Sequence, residues 1–191
     1  MPTIHVVLTI ACVAMAHVAA STIHADNTNT LLAACPHAYV SSAAVHSQVC
    51  LRNVITNNTI VVVQGEPKIL SLSDQGIQSI EAFPTQPHIL DLSSNALRSI
   101  NVSSTTGVSV MSLNLRNNSI TTAGLVTLPP SIISLDLSDN DIDSMGTTSF
   151  NWASLTKLTT LYGKMASNVS GNGMHSIHLP SLPPSLTTLY T

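Results

Sequence analysis

Charged and aromatic side chains are both scarce in this chain. Only 8% of its 191 residues are charged and only 3% are aromatic. The formal net charge is −3, and the sequence contains no run of like charges. A protein that binds nucleic acid or an anionic membrane through charge needs a basic stripe or patch, so both classes are disfavoured. With 44% hydrophobic residues, the core must be built mainly from Leu, Ile and Val, and the length suits one domain.

Catalytic motifs are missing as well. The sequence has no G-x-S-x-G, no H-E-x-x-H and no phosphate-binding glycine loop. His175 and His178 form an H-x-x-H pair without a third ligand, which favours ordinary loop histidines over a metal site. The alternating Asp139, Asp141 and Asp143 resemble a calcium-binding loop. Because Asn140 and Ile142 between them are expected to face the protein interior, the three aspartates are expected to be solvent-exposed without a metal. We therefore predict no enzyme activity, no metal and no cofactor.

The first twenty residues contain no Lys, Arg, Asp or Glu. An apolar stretch that ends in small residues predicts a secretory signal peptide over residues 1–20, with cleavage after Ala20 and a second choice after Ala16. A positively charged start is missing apart from the chain amine, so an uncleaved signal acting as an anchor is the alternative. No later run is long and apolar enough to span a bilayer.

Cysteine is rare, and only Cys35 and Cys50 lie beyond the predicted signal. Two cysteines in a secreted chain predict a disulfide, and the loop of about fifteen residues would give roughly 3 kcal/mol of stabilisation. The alternative is a pair of free thiols in a cytosolic protein. We assign residues 21–50 to an N-terminal segment with a cysteine-pair cap.

What the chain does have is a repeated pattern of leucines. Four stretches read "ILSLSDQGIQSI", "ILDLSSNALRSI", "MSLNLRNNSI" and "ISLDLSDNDIDSM", and their first leucines are Leu70, Leu90, Leu113 and Leu135. Successive copies therefore begin 20 to 23 residues apart. This period and the L-x-L-x-x-N-x-I frame are typical of leucine-rich repeats, and the chain resembles that family.

The resemblance implies an α/β solenoid over residues 51–191: a leucine-rich-repeat horseshoe with a parallel β-sheet on its concave face. Repeats this short leave no room for a full return helix, so the convex segments are expected to be mostly extended or 3₁₀. Leu189 begins a last turn whose second leucine slot is Thr191, so the repeats look incomplete at the C-terminus. An uncapped end predicts fraying or end-to-end self-association.

Polar amide side chains recur at one position of the repeat. Buried backbone groups at a bend need hydrogen bonds, and an amide both donates and accepts. The pattern predicts a structural ladder, with ordinary turn asparagines as the alternative. Its members would be Asn58, Gln75, Asn95, Asn118 and Asn140.

The positions between the leucines should point outward on the concave face, which repeat proteins use for binding. We predict a protein or peptide ligand there, against the alternative of a soluble face without a ligand. The candidate ligand-binding residues are Asp91, Asn114, Arg116, Asp136, Asp139 and Tyr162. Four Asn-x-Ser/Thr sequons are candidates for glycosylation in an exported chain. They begin at Asn57, Asn101, Asn117 and Asn168.

Signal, cysteine pair and repeats together resemble the extracellular domains of leucine-rich-repeat receptor-like kinases of the tyrosine-kinase-like group, over roughly residues 35–191. Such receptors continue into a membrane helix and a kinase domain, and neither is found in this sequence. The resemblance implies an extracellular protein- or peptide-recognition module, complete or a fragment. Two alternatives are a secreted inhibitor of a foreign enzyme and a structural, glycan-coated surface protein.

Overall fold

The structure is a computed structural model that describes residues 28–33, 35–36, 48–63, 68–145, 150–163, 176–177 and 182–190. The predicted signal peptide, Asn168, His175 and His178 lie outside these residues. The described residues contain no helix long and apolar enough to cross a membrane. Their strands are β1 (Asn29–Leu31), β2 (Gln48–Asn53), β3 (Thr59–Val63), β4 (Ile69–Ser71), β5 (Ile77–Ile80), β6 (Ile89–Asp91), β7 (Ser112–Asn114), β8 (Ser134–Asp136), β9 (Ser144–Met145), β10 (Thr160–Tyr162), β11 (Ser176–Ile177) and β12 (Thr188–Tyr190).

Six short strands form a parallel sheet in the order β12-β10-β8-β7-β6-β4. Strict alternation sends the middle residue of each strand inward, because successive side chains of a strand point to opposite faces. These middle residues are all leucines and pair in register along the sheet. Five of them are at most 3% exposed, namely Leu70, Leu90, Leu113, Leu135 and Leu161. Leu189 of β12 is only partly buried against the same core.

A second layer of leucines follows each strand by one residue. Leu72, Leu92, Leu115 and Leu137 are at most 2% exposed, and each donates its backbone N–H to the next strand at 2.7–2.8 Å. Gly163 takes this place after β10 and donates to the Tyr190 carbonyl at 2.7 Å. The regular backbone pairing therefore continues where the second leucine is lost.

The N-terminal strands form a mixed sheet in the order β3-β2-β1-β5. β2 and β3 are an antiparallel hairpin, and β1 pairs antiparallel with β2 and parallel with β5. A disulfide joins Cys35 and Cys50, whose Cα atoms lie 5.2 Å apart. Leu31 and Leu51 of this sheet belong to the same core cluster as the leucines of the parallel sheet.

The remaining described segments connect the strands outside the parallel sheet. Two 3₁₀ helices of three residues each cover Thr122–Gly124 and Trp152–Ser154, and β9 pairs parallel with β11. The Trp152 ring is 2% exposed and meets Phe150 edge to face at 5.0 Å. Both aromatic residues belong to the same core cluster as the leucines of the parallel sheet.

The prediction of an α/β solenoid is wrong. The described residues are mostly strands and loops with almost no helix, and they form a mixed sheet and a parallel sheet rather than a closed solenoid. The α/β class was inconsistent with the short segments between the leucines, which are rich in Pro and Ser/Thr and were themselves expected to be extended or 3₁₀. The sheet nearest the N-terminus also pairs antiparallel, which no repeat pattern had indicated.

Candidate functional site

The solvent side of the parallel sheet carries most of the candidate binding residues. In each strand the residue after the inward leucine points outward, and these residues pair across neighbouring strands. We call this set the outer column. Its members are Ser71, Asp91, Asn114, Asp136, Tyr162 and Tyr190.

Buried asparagine side chains hold the bends that follow the strands. The side-chain NH₂ of Asn118 donates to the carbonyls of Leu115 (2.9 Å) and Leu92 (3.1 Å), while its oxygen accepts from the Leu97 N–H at 3.1 Å. Asn95 and Asn140 make the same kinds of bond, each to its own bend and to the preceding one. The structure thus brings these three amides into one row that links successive bends.

The other two predicted ladder residues behave differently. The Gln75 side chain bonds only within its own bend, to the carbonyls of Ser73 and Asp74. Asn29 of β1 instead donates its side-chain N–H to the Gln75 carbonyl at 2.6 Å. Asn58 is exposed and accepts the Asn53 N–H at 2.8 Å within the β2–β3 hairpin. Placing Asn58 in the ladder was therefore wrong, because "NVITNNTI" forms an antiparallel turn instead of a bend between parallel strands.

The residue before each ladder position has a left-handed backbone. Asp74, Ser94, Asn117 and Asp139 have φ between 54° and 56°. Only a few per cent of non-glycine residues adopt this region, and Asp and Asn tolerate it best. The recurrence of Asp, Ser or Asn immediately before the amide was the sequence signal for this bend, and the sequence reasoning had not used it.

Three polar side chains of the outer column accept a hydrogen bond from the backbone N–H two residues later. Oδ1 of Asp91 accepts the Ser93 N–H at 3.0 Å, and Oδ1 of Asp136 accepts the Ser138 N–H at 2.9 Å. Asn114 accepts the Arg116 N–H at 3.0 Å in the same way. Each of these side chains has one oxygen held in place by a local turn, so the column presents polar groups in set orientations.

Arg116 and Asp139 form an ion pair beside the column. The guanidinium Nε donates to Oδ2 of Asp139 at 2.8 Å, and the two side chains are 59% and 19% exposed. The pair joins the ends of neighbouring repeats, since 23 residues separate its members. An exposed pair of this kind adds little stability. The ion pair does fix the positions of one positive and one negative group at the edge of the outer face.

Two tyrosines end the column. The rings of Tyr162 and Tyr190 stack with centroids 4.5 Å apart and planes within 3° of parallel, and Tyr190 is 49% exposed. Offset stacking of this kind is a favourable aromatic arrangement. Tyr190 is not among the binding residues predicted from the sequence, although an alignment of "TTLYG" with "TTLYT" places it in register with Tyr162. At the other end of the sheet, Ile69 and Ile89 point outward with 55% and 44% exposure.

The described sequons lie on the surface. Asn57 is exposed in the β2–β3 turn with φ of 58°, and Asn101 is exposed in a loop. Asn117 is exposed beside the outer column and donates its side-chain N–H to Ser94 Oγ at 3.2 Å. In the described part of the chain, no group of three or more His, Cys, Asp or Glu side chains is arranged to hold a metal ion.

No protein-family model, curated protein or solved structure matches this chain. The case for a function therefore depends on the site alone.

Proposed function

We propose that the chain is an extracellular protein- or peptide-recognition module that binds its ligand on the outer face of the six-stranded sheet and performs no catalysis. The observation that carries the proposal is the contrast within each strand. Position after position, the inward residue is leucine, whereas the outer column changes from Ser to Asp, Asn, Asp, Tyr and Tyr. The fold alone does not require this outward variety.

The outer face combines apolar, polar and aromatic groups along one sheet. It is apolar at one end, with Ile69 and Ile89 exposed, and aromatic at the other, with Tyr162 and Tyr190. Polar groups held by local hydrogen bonds lie between the two ends. Aromatic and apolar anchors supply most of the energy of protein interfaces, and fixed polar groups supply specificity. Because these polar groups are already ordered, their side chains lose less conformational entropy when a ligand binds.

Export of the chain is the second part of the proposal. The Cys35–Cys50 disulfide is compatible with an extracellular environment, because disulfides persist in oxidising compartments. The charge-free start of the sequence supports a signal peptide, which makes the protein secreted or displayed on a cell surface. Peptide mapping of protein recovered from the medium of secreting cells should find Cys35 and Cys50 linked. Free thiols at both positions would contradict export.

Selection from a displayed library of random peptides tests the proposed recognition. The purified chain is one target, and the variant Asp91→Asn/Asp136→Asn/Tyr162→Leu is the counter-target. A second control is Arg98→Ala/Lys157→Ala, which alters exposed charges outside the sheet. We expect peptides enriched on the unaltered chain and on the second control and depleted on the triple variant. Equal enrichment on all three proteins would move the site elsewhere, and no enrichment would contradict recognition.

A structural, glycan-coated surface protein is the second candidate, favoured by the exposure of Asn57, Asn101 and Asn117. A glycan on Asn117 would stand beside Arg116 and cover part of the outer column. Enzymatic deglycosylation in heavy-oxygen water, followed by mass mapping, measures occupancy at each site. Full occupancy at Asn117 would favour the structural candidate, and an unmodified Asn117 would favour recognition.

A further inference from the structure

The two stacked tyrosines create an asymmetric position on the outer face. Tyr190 covers one face of the Tyr162 ring, with centroids 4.5 Å apart. β8 lies on the side of β10 away from β12, and its residue in register with Tyr162 is Asp136. Neighbouring strands lie about 4.8 Å apart, so a planar group stacked on the Tyr162 ring from that side would meet the Asp136 carboxylate. We call this position, between the Tyr162 ring and Asp136, the notch.

Side-chain length sets how far each wall of the notch extends. The carboxylate oxygens of an aspartate are three bonds from its Cα and the hydroxyl of a tyrosine is six, so the Tyr162 side chain is long enough to extend past the carboxylate. Oδ1 of Asp136 accepts the Ser138 N–H at 2.9 Å, which fixes the carboxylate at the base. The notch thus combines a π surface on its side with a negative charge beneath it.

We infer that this notch binds the guanidinium group of an arginine side chain carried by an extended peptide ligand. A guanidinium is planar, stacks on aromatic faces and donates hydrogen bonds to carboxylates, so one group satisfies both walls of the notch. A lysine ammonium would reach the carboxylate but would not match the flat ring. The inference deepens the proposed function and rests on it.

The charges of the described outer face favour a cationic ligand. Asp91 and Asp136 stand in the outer column, and Asp74 lies at the bend beyond β4. Arg116 follows Asn114 by two residues, and its charge is already opposed by Asp139 at 2.8 Å. The outer column itself contains two carboxylates and no cation, which raises the local concentration of a positively charged peptide.

Asp91 provides a control built into the same sheet. It occupies the same column and makes the same local bond, to the Ser93 N–H at 3.0 Å. Its neighbours in the column are Ser71 and Asn114, and neither carries a ring. If a carboxylate alone were sufficient, Asp91 and Asp136 would bind a guanidinium equally well. The Tyr162 ring would then contribute nothing to binding.

The test uses two small probes in a titration followed by amide chemical shifts of the labelled, disulfide-bonded chain. The probes are N-acetyl-arginine methylamide and the citrulline equivalent, which has nearly the same shape but no charge. We expect saturable shifts at Asp136 and Tyr162 with the arginine probe, and affinity lower by about threefold to tenfold with citrulline. Asp136→Asn and Tyr162→Leu should each weaken binding of the arginine probe to a similar extent, while Asp91→Asn, which removes a column carboxylate without a ring beside it, should weaken it clearly less.

Three results would overturn the inference: equal affinity for the two probes, a loss on Asp91→Asn as large as that on Asp136→Asn, or no saturable shift at Asp136 and Tyr162. The peptide selection separates this failure from failure of the proposed function. Peptides enriched on the outer face without a preference for arginine would leave recognition standing and refute the notch. Absence of enriched peptides would refute recognition itself.

Discussion

The two faces of the parallel sheet follow different rules. On the inner face the same residue type recurs in register, and Leu90, Leu113, Leu135 and Leu161 are at most 1% exposed. On the outer face the residues one position later are Asp91, Asn114, Asp136, Tyr162 and Tyr190, and only the two tyrosines repeat a neighbour. Both faces belong to the same three-residue strands, so backbone geometry cannot explain the difference.

The contrast teaches which residues the fold requires. An inward side chain must fill a fixed volume, because protein interiors are close-packed and a smaller residue leaves a cavity. An outward side chain meets water, and many residue types satisfy it equally well. The chemical variety of the outer column is therefore free to serve recognition.

Removing an inner leucine should have the largest effect on stability. Leu113→Ala should lower the free energy of unfolding by about 2–5 kcal/mol, because Leu113 is 1% exposed and its loss leaves a cavity. Urea unfolding measures the difference. The matched control is its outward neighbour, Ser112→Ala, which should change the value by less than about 0.5 kcal/mol. Similar losses in both variants would remove the distinction between the faces.

Removing a buried bend amide should have the next largest effect. Asn118→Ala should lower the free energy of unfolding by about 1–3 kcal/mol, because the carbonyls of Leu92 and Leu115 and the N–H of Leu97 lose their partner. Asn101→Ala, at an exposed position, is the control measured in the same way. The adjacent Asn117 is a poor control, since its φ of 55° would strain most replacements. Equal unfolding midpoints for the two variants would contradict a structural role of Asn118.

Reversing the charge at Arg116 should affect binding more than folding. Arg116 is 59% exposed and paired with Asp139, so Arg116→Glu should lower the free energy of unfolding by no more than about 1 kcal/mol. The same change adds negative charge near Asp136 and should alter the affinity of any peptide selected on the outer face. A loss of several kcal/mol in chemical unfolding would show that the rim of this face is structural.

The smallest expected effect is faster hydrogen exchange and weak self-association at the edge strand β12. Among the described residues β12 pairs on one side only, with β10, and an unpaired edge invites pairing with a second chain. We expect amides of residues 188–190 to exchange with solvent faster than those of residues 113–115, and weak end-to-end self-association at high concentration. Hydrogen exchange and sedimentation measure these properties. Equal protection at both places in a dilute monomer would contradict an open edge.

The spacing of leucines was enough to predict much of the parallel sheet. The alternation of leucines predicts that Leu70, Leu90, Leu113 and Leu135 share the inner face. Side chains of a strand alternate between the two faces of a sheet, so only one register buries the leucines. It could not predict the N-terminal mixed sheet, since β1 and β2 are joined by residues with no repeat. "VITNNT" was assigned to a repeat although consecutive polar residues between apolar runs favour a hairpin turn.

Other parts of the candidate site depended on pairing across strands. Tyr190 lies 28 residues after Tyr162, and their stacking follows from the register of β10 and β12 rather than from any local pattern. The notch above Asp136 combines residues from two strands in the same way. The amide side chains of Asn95, Asn118 and Asn140 could be anticipated from their spacing alone, because each serves the same bend.

The central claim is that the outer column serves binding while the inner face serves folding. Urea unfolding of Asp91→Asn/Asp136→Asn/Tyr162→Leu tests it most directly, because this variant changes three outer residues and keeps every inward leucine. We predict a free energy of unfolding within about 1 kcal/mol of the unaltered chain, as expected for surface substitutions. A loss of about 2–5 kcal/mol, the size expected for a single inner leucine, would show that the outer column is part of the framework and would contradict the account.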